Sequence, residues 1–134
     1  MALGKIKADT LEHSTAGSLD TQYVVNGSAK LWHNFNGTGT AATRDSLNVS
    51  SLTDDSAGRY GTSITSAFDN ADNYNLVFFA NADSGVNENN FVNARCGIAG
   101  QGQRATNSFR VSSYNGSAYT DSYWFNITVH GDLA

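Results

Sequence analysis

Proline is missing from the 134-residue chain, and cysteine and methionine occur once each. Glutamate occurs only at Glu12 and Glu88. Each shortage removes a possibility. The single Cys96 excludes an internal disulfide framework and cannot build a zinc site by itself. In Ala94-Arg95-Cys96-Gly97-Ile98 it reads as a small buried hydrophobe. Cationic residues are also scarce, with Lys+Arg 8 against Asp+Glu 12, a net charge of −4 and a pI near 5.1. They are scattered, which excludes the clustered basic surface of a nucleic-acid binder. No apolar run is long enough to span a bilayer, and Met1 to Asp9 has no signal-peptide character. The chain is therefore expected to be made in a cytoplasm and not to enter a membrane. Its sequons at Asn26, Asn36, Asn48, Asn115 and Asn126 then read as chance products of composition. With no proline to protect sheet edges, that task falls to charge, bulges or pairing with another chain.

What fills the space is 15 Asn, 15 Ser, 12 Thr and 13 Gly beside 7 Phe, 6 Tyr and 2 Trp. Aromatics at this level exclude a disordered tail, and the polar residues are turn and strand formers rather than helix formers. The length suits one domain with a single core. Alternation dominates. Ala29, Leu31, His33 and Phe35 share one face, with Lys30, Trp32 and Asn34 opposite, which predicts a strand. Before it, Gln22 to Val25 followed by Asn26-Gly27 predicts the other arm of a hairpin. Further strands are expected at Ala41 to Asp45, Leu47 to Thr53, Tyr60 to Ile64, Tyr74 to Ala80 and Phe91 to Ile98. A long polar loop covers Asn81 to Asn90, and Gly100 to Gln103 is a turn. Near the end, Ser108 to Tyr114, the turn Asn115-Gly116 and Tyr119 to Val129 predict a second hairpin. Phe109, Val111, Tyr123, Phe125, Ile127 and Val129 form its apolar face. Short strands at this spacing predict an all-β, antiparallel sandwich or jelly-roll-like domain over residues 22–134. Residues 1–21 read as an extended N-terminal arm that docks on a partner.

Catalytic constellations are not found. His13, His33 and His130 have no metal-ligand spacing, and His33 on an apolar face reads as a hydrogen-bonded core residue. No nucleophile elbow, phosphate loop or zinc-protease motif occurs. The ten aspartates lie in turn-like contexts, so no carboxylate pair for glycoside hydrolysis stands out. Asp54-Asp55 and Asp69-Asn70-Ala71-Asp72 have oxygens enough for calcium but lack the EF-hand pattern, and turn chemistry is the expectation. The chain is expected to be non-enzymatic and to need no cofactor or metal.

One pattern carries a resemblance. Lys30-Leu31-Trp32-His33-Asn34-Phe35-Asn36-Gly37-Thr38-Gly39-Thr40 precedes Arg44-Asp45-Ser46-Leu47-Asn48-Val49-Ser50-Ser51-Leu52-Thr53-Asp54. This resembles a module of bacteriophage tail-fibre and other virion proteins with the form Lys-x-Trp-x-Asn-Phe-Asn-Gly-Thr-Gly-Thr followed by Arg-x-Ser-Phe-Asn-Val-Ser-Ser-Ile-Thr-Asp. The likeness covers residues 22–68 and extends weakly through Phe109-Arg110-Val111 to Tyr123. Ile6 to Leu11 is similar to the leader that precedes the module. Leu47 stands where the module has Phe, Ser56-Ala57-Gly58-Arg59 where it has a Gly/Asp-rich turn, and Gly61 where it has a strand Thr. The resemblance implies a virion surface component, a homotrimer, attached to other virion proteins through the arm and binding host-surface polysaccharide. Two virion roles fit, a tail-fibre or receptor-binding component and a capsid decoration protein or head fibre, and a third reading is a free carbohydrate-binding protein outside any virion.

Sugars stack their apolar faces on aromatics while amides and guanidinium groups pair their hydroxyls. On the predicted last hairpin, alternation puts Arg110, Tyr114 and Trp124 on the face away from Phe109, with Asn115 and Tyr119 at the turn. These five are the candidate glycan site. The same residues would also serve as a subunit interface or a cover for a sheet face.

Overall fold

In a computed structural model of the chain, which describes residues 8–81, 93–96 and 104–134, alternating apolar and polar residues build two packed antiparallel sheets. In chain order the elements are β1 (Thr10–His13), β2 (Gly17–Asp20), α1 (Thr21–Gly27), β3 (Leu31–Asn36), β4 (Ala42–Leu47), β5 (Val49–Ser56), β6 (Arg59–Ile64), β7 (Asn75–Asn81), β8 (Asn93–Cys96), β9 (Arg104–Ala105), β10 (Ser108–Tyr114) and β11 (Trp124–His130). One sheet runs β4-β3-β11-β7, and the other runs β5-β6-β10-β8 with β9 also on β10. β1 and β2 form a separate hairpin. The expected all-β sandwich is therefore the fold. The expected loop over 81–90 lies outside the described residues beyond Asn81, as does the turn at 100–103.

The period of two decides which side chains are inside. Leu31, His33 and Phe35 of β3 are buried, as are Phe125, Ile127 and Val129 of β11. From the facing sheet come Tyr60, Ile64, Phe109 and Val111. Phe35 and Phe125, directly opposite in the ladder, stack with centroids 4.9 Å apart. The Tyr60 ring meets them edge-on at 5.1 and 5.7 Å. Burial of these large apolar faces supplies most of the driving force for closing one sheet on the other.

Two expectations are corrected. Gln22 to Val25 is not a strand paired through Asn26-Gly27, because it lies in α1. Both edges of β3 are already taken, by β4 and β11. A strand there would leave its backbone unpaired, whereas a helix satisfies its own. Nor do β10 and β11 form a hairpin. β10 sits between β6 and β8, and β11 between β3 and β7, in different sheets. Asn115-Gly116 does turn the chain, but pairing stops after the single bridge Tyr114 to Tyr119. Residues 120–123 then cross to the other sheet.

Two corners hold the sheets in relation. At the first, Asn48 alone connects β4 to β5 in the left-handed conformation (φ 61°). Its side-chain oxygen accepts the Ser66 N–H at 2.7 Å, and its amide nitrogen donates to the Ser66 carbonyl at 3.0 Å. At the second, the Asp121 carboxylate accepts the Gly58 N–H at 2.7 Å and the Tyr60 hydroxyl at 3.0 Å. The same hydroxyl lies 3.1 Å from the Gly37 carbonyl, and the Gly37 N–H donates to the Ser122 carbonyl at 2.8 Å. Burial, followed by the Asp121 charge, pushes the Tyr60 hydroxyl above its ordinary range, so it remains a donor. Glycine is required at Gly58, where φ is +65° and a Cβ would meet the Thr120 backbone at 2.5 Å.

The His33 imidazole is buried. Its Nδ1 lies 3.0 Å from Thr62 Oγ1 and its Nε2 2.9 Å from Thr43 Oγ1. A neutral ring donates to one hydroxyl and accepts from the other, which bears out its reading as a core histidine. Burial lowers its pKa from 6.5 to about 4. The unfolded chain therefore takes up this proton at a higher pH than the folded one, and the folded state loses stability as pH falls.

Two outcomes are expected. Gly58→Ala should lower unfolding free energy by more than about 2 kcal/mol through strain and backbone collision, read by urea denaturation. Stability at neutral pH should fall as pH drops from about 6.5 towards about 4, with a contribution from His33 on the order of 3 kcal/mol. Melting curves of His33→Gln, which does not titrate, should show a correspondingly flatter pH dependence.

Candidate functional site

The five candidate glycan residues divide between the two sheets. Tyr114, Asn115 and Tyr119 come together around one turn, where the Asn115 side-chain oxygen accepts the N–H groups of Ser117 and Ala118 at 3.0 and 2.9 Å. The two tyrosine rings meet edge to face at 5.4 Å. Each carries a guanidinium, Arg95 over Tyr114 at 4.7 Å and Arg59 over Tyr119 at 4.0 Å. Arg59 and Arg95 flank β10 because both lie opposite Ser112. A ring face already stacked on a cation offers less surface to a sugar.

Arg110 lies four residues from Tyr114, about 13 Å along an extended strand. Its Nε donates to Asp55 at 3.0 Å. The reach across β6 is open because the residue opposite Arg110 is Gly61. Trp124 is elsewhere, on the outer face of the four-stranded sheet. There the β4 bulge projects Arg44 over the rings of Trp124 and Tyr123, at 4.2 and 4.6 Å. Arg44 also donates to the Phe35 carbonyl at 2.9 Å.

That second outer face contains the better-formed site. Registers across all four strands align two rows: Leu47, Trp32, Thr128 and Val77, and beside it Asp45, Asn34, Asn126 and Phe79. Trp32, Asn34, Asp45, Asn126 and Thr128 line a shallow groove of about 360 Å³. Asn34 donates its amide to the Asn126 side-chain oxygen, which fixes both amides on the groove floor. Asp45 accepts the Ser46 N–H at 2.9 Å. The groove thus combines one indole with amide, hydroxyl and carboxylate groups held on a rigid sheet. A chemistry of stacking plus hydrogen bonding suits it. Asp45 is its only carboxylate among the described residues.

Sequence reasoning placed Trp32 and Asn34 opposite the apolar face of their strand but did not join them to Asn126 and Thr128. The missing fact was that β3 pairs with β11. No local signal carries that pairing, since the two strands are separated by most of the chain.

A second, polar cleft of about 290 Å³ lies where α1 approaches the sandwich, lined by Asn26, Asp69, Asn73, Asn75, His130 and Asp132 among others. Turn chemistry accounts for Asn70, whose side-chain oxygen accepts the Asp72 N–H at 2.8 Å. No group of three or more metal-ligating side chains is positioned for an ion among the described residues. Cys96 is half-buried, and burial raises its thiol pKa, opposite to what an activated thiolate needs. No family model, curated protein or solved structure matches the chain.

Proposed function

We propose that the chain is a bacteriophage virion-surface protein that binds host glycan, without cleaving it, in the groove lined by Trp32, Asn34, Asp45, Asn126 and Thr128. The observation that carries this reading is the Trp32 indole set beside the outward, hydrogen-bonded amides of Asn34 and Asn126. A pyranose ring presents an apolar face for stacking and equatorial hydroxyls for the flanking amides. Hydrolysis would call for two carboxylates about the scissile bond, and Asp45 stands alone in the groove. The resemblance of residues 30–54 to a phage virion module supplies the biological setting. Its pattern includes Trp32 and Asn34 themselves, while Asp45 falls at a position the pattern leaves open.

The arm is the attachment element in this reading. Leu11 and Leu19 face one another across the β1–β2 hairpin, and both are exposed. Just beyond the arm, α1 buries no residue, and its Tyr23 and Val25 are 61% and 59% exposed, so the uncovered surface continues past the arm. Apolar side chains that their own domain leaves uncovered suit a surface that docks on another virion protein.

Trp32→Ala should weaken binding to host-envelope polysaccharide on the order of 10- to 100-fold, about 1.4 to 2.7 kcal/mol, in titration calorimetry. Its melting temperature should stay near wild type because the ring lies on the outer face. Tyr114→Ala should retain binding and melt earlier, having lost its contacts with Arg95 and Tyr119. Unchanged affinity in Trp32→Ala would overturn the groove assignment. Deleting residues 1–20 should leave a folded domain that no longer co-sediments with particles, and retained co-sedimentation would remove the arm's role.

A further inference from the structure

The rings of Trp124, Tyr123, Tyr119, Tyr114 and Tyr74 each have a guanidinium over them. On the outer face of the four-stranded sheet two rings are not covered in this way. Among the described residues, neither Trp32 nor Phe79 contacts a cation or another ring. Phe79 is 59% exposed and stands outside the groove lining, on the strand that flanks β11. Register fixes how the two rings are related. Trp32 lies opposite Thr128, which lies opposite Val77, and Asn34 lies opposite Asn126, which lies opposite Phe79. Trp32 and Phe79 are therefore diagonal corners of one rectangle, two strands across and two residues along, roughly 12 Å apart. Thr128 and Asn126 of β11 lie between them.

The polar groups between the rings are open to a ligand. Asn34 donates to the Asn126 side-chain oxygen, while the Asn126 amide nitrogen, the Asn34 side-chain oxygen and the Thr128 hydroxyl have no partner among the described residues. We infer that Phe79 is a second stacking subsite, so that this face holds two sugars of one polysaccharide chain, one on Trp32 and one on Phe79. The inference rests on the glycan reading of the groove. A separation of roughly 12 Å is longer than one pyranose ring, so a single sugar cannot stack on both rings. A chain lying diagonally over β11 can. Its hydroxyls between the stacked sugars meet the Asn126 amide, which donates, and the Thr128 hydroxyl, which donates or accepts. Val77, 56% exposed, extends the apolar surface beside Phe79. Two weak contacts linked through one chain reinforce each other, so affinity depends on chain length. The subsite lies on the face of the sheet and is independent of whatever borders the outer edge of β7.

Titration calorimetry of the full chain with fragments of host-envelope polysaccharide, sorted by length after partial hydrolysis, tests the subsite. Wild-type affinity should rise from single sugars to fragments long enough to span both rings. Phe79→Ala should remove that rise, weakening binding of the long fragments on the order of 10-fold, whereas Trp32→Ala should weaken short and long fragments alike. Phe79→Tyr, which keeps an aromatic face, should restore the rise. Because the Phe79 ring is exposed, Phe79→Ala should melt near wild type and keep the wild-type mass in light scattering. Long fragments bound by Phe79→Ala as tightly as by wild type, or a wild-type affinity indifferent to length, would overturn the second subsite and leave the groove in place. A changed mass in Phe79→Ala would make the ring part of a protein interface and also overturn it. Unchanged affinity in Trp32→Ala would instead remove the groove reading, and this inference with it.

Discussion

Asp121 receives two hydrogen bonds that tie the sheets together, and much of the sandwich's geometry follows from them. The Tyr60 hydroxyl comes from the core of one sheet, and the Gly58 N–H from the turn that starts the same strand. The acceptor lies on the segment that crosses to the other sheet. A charged acceptor makes both bonds stronger than neutral ones. It also places the Tyr60 ring against Phe35 and Phe125, so the polar anchor and the apolar centre of the core share one side chain. Gly37 completes the arrangement from the other sheet, where only the absence of a Cβ lets the backbone come up to the Tyr60 hydroxyl.

The same anchor explains what could and could not be read from sequence. Burial within a strand is a local property, and the alternation around Leu31, His33 and Phe35, around Tyr60 and Thr62, and around Phe125 and Ile127 revealed it. Pairing is not local. Asn115-Gly116 carries a strong hairpin signal, and the turn does form. The chain then leaves the sheet, because Asp121 and Ser122 are held at Gly58, Tyr60 and Gly37. Once β10 and β11 are assigned to different sheets, Trp124 separates from Tyr114, and the candidate site divides. The hairpin expected at Asn26-Gly27 failed for a related reason, since the neighbouring strand already had two partners.

The two outer faces use aromatic residues differently. On the five-stranded sheet Arg59 and Arg95 lie over Tyr119 and Tyr114, and Arg110 engages Asp55. These contacts cover ring faces and neutralise a charge, which makes that surface largely self-contained. On the four-stranded sheet Arg44 covers Trp124, while Trp32 borders an open groove. Two tryptophans on one face therefore have separate roles, one held in place and the other presented.

The one-residue passage at Asn48 also limits how the protein can diversify. Its backbone is left-handed and both polar atoms of its side chain are bound to Ser66, so the β4–β5 link cannot lengthen without breaking two hydrogen bonds and releasing a corner. Insertions are tolerated where loops have slack and few commitments. Length variation is thereby directed away from this corner and towards connections whose backbone carries fewer such bonds.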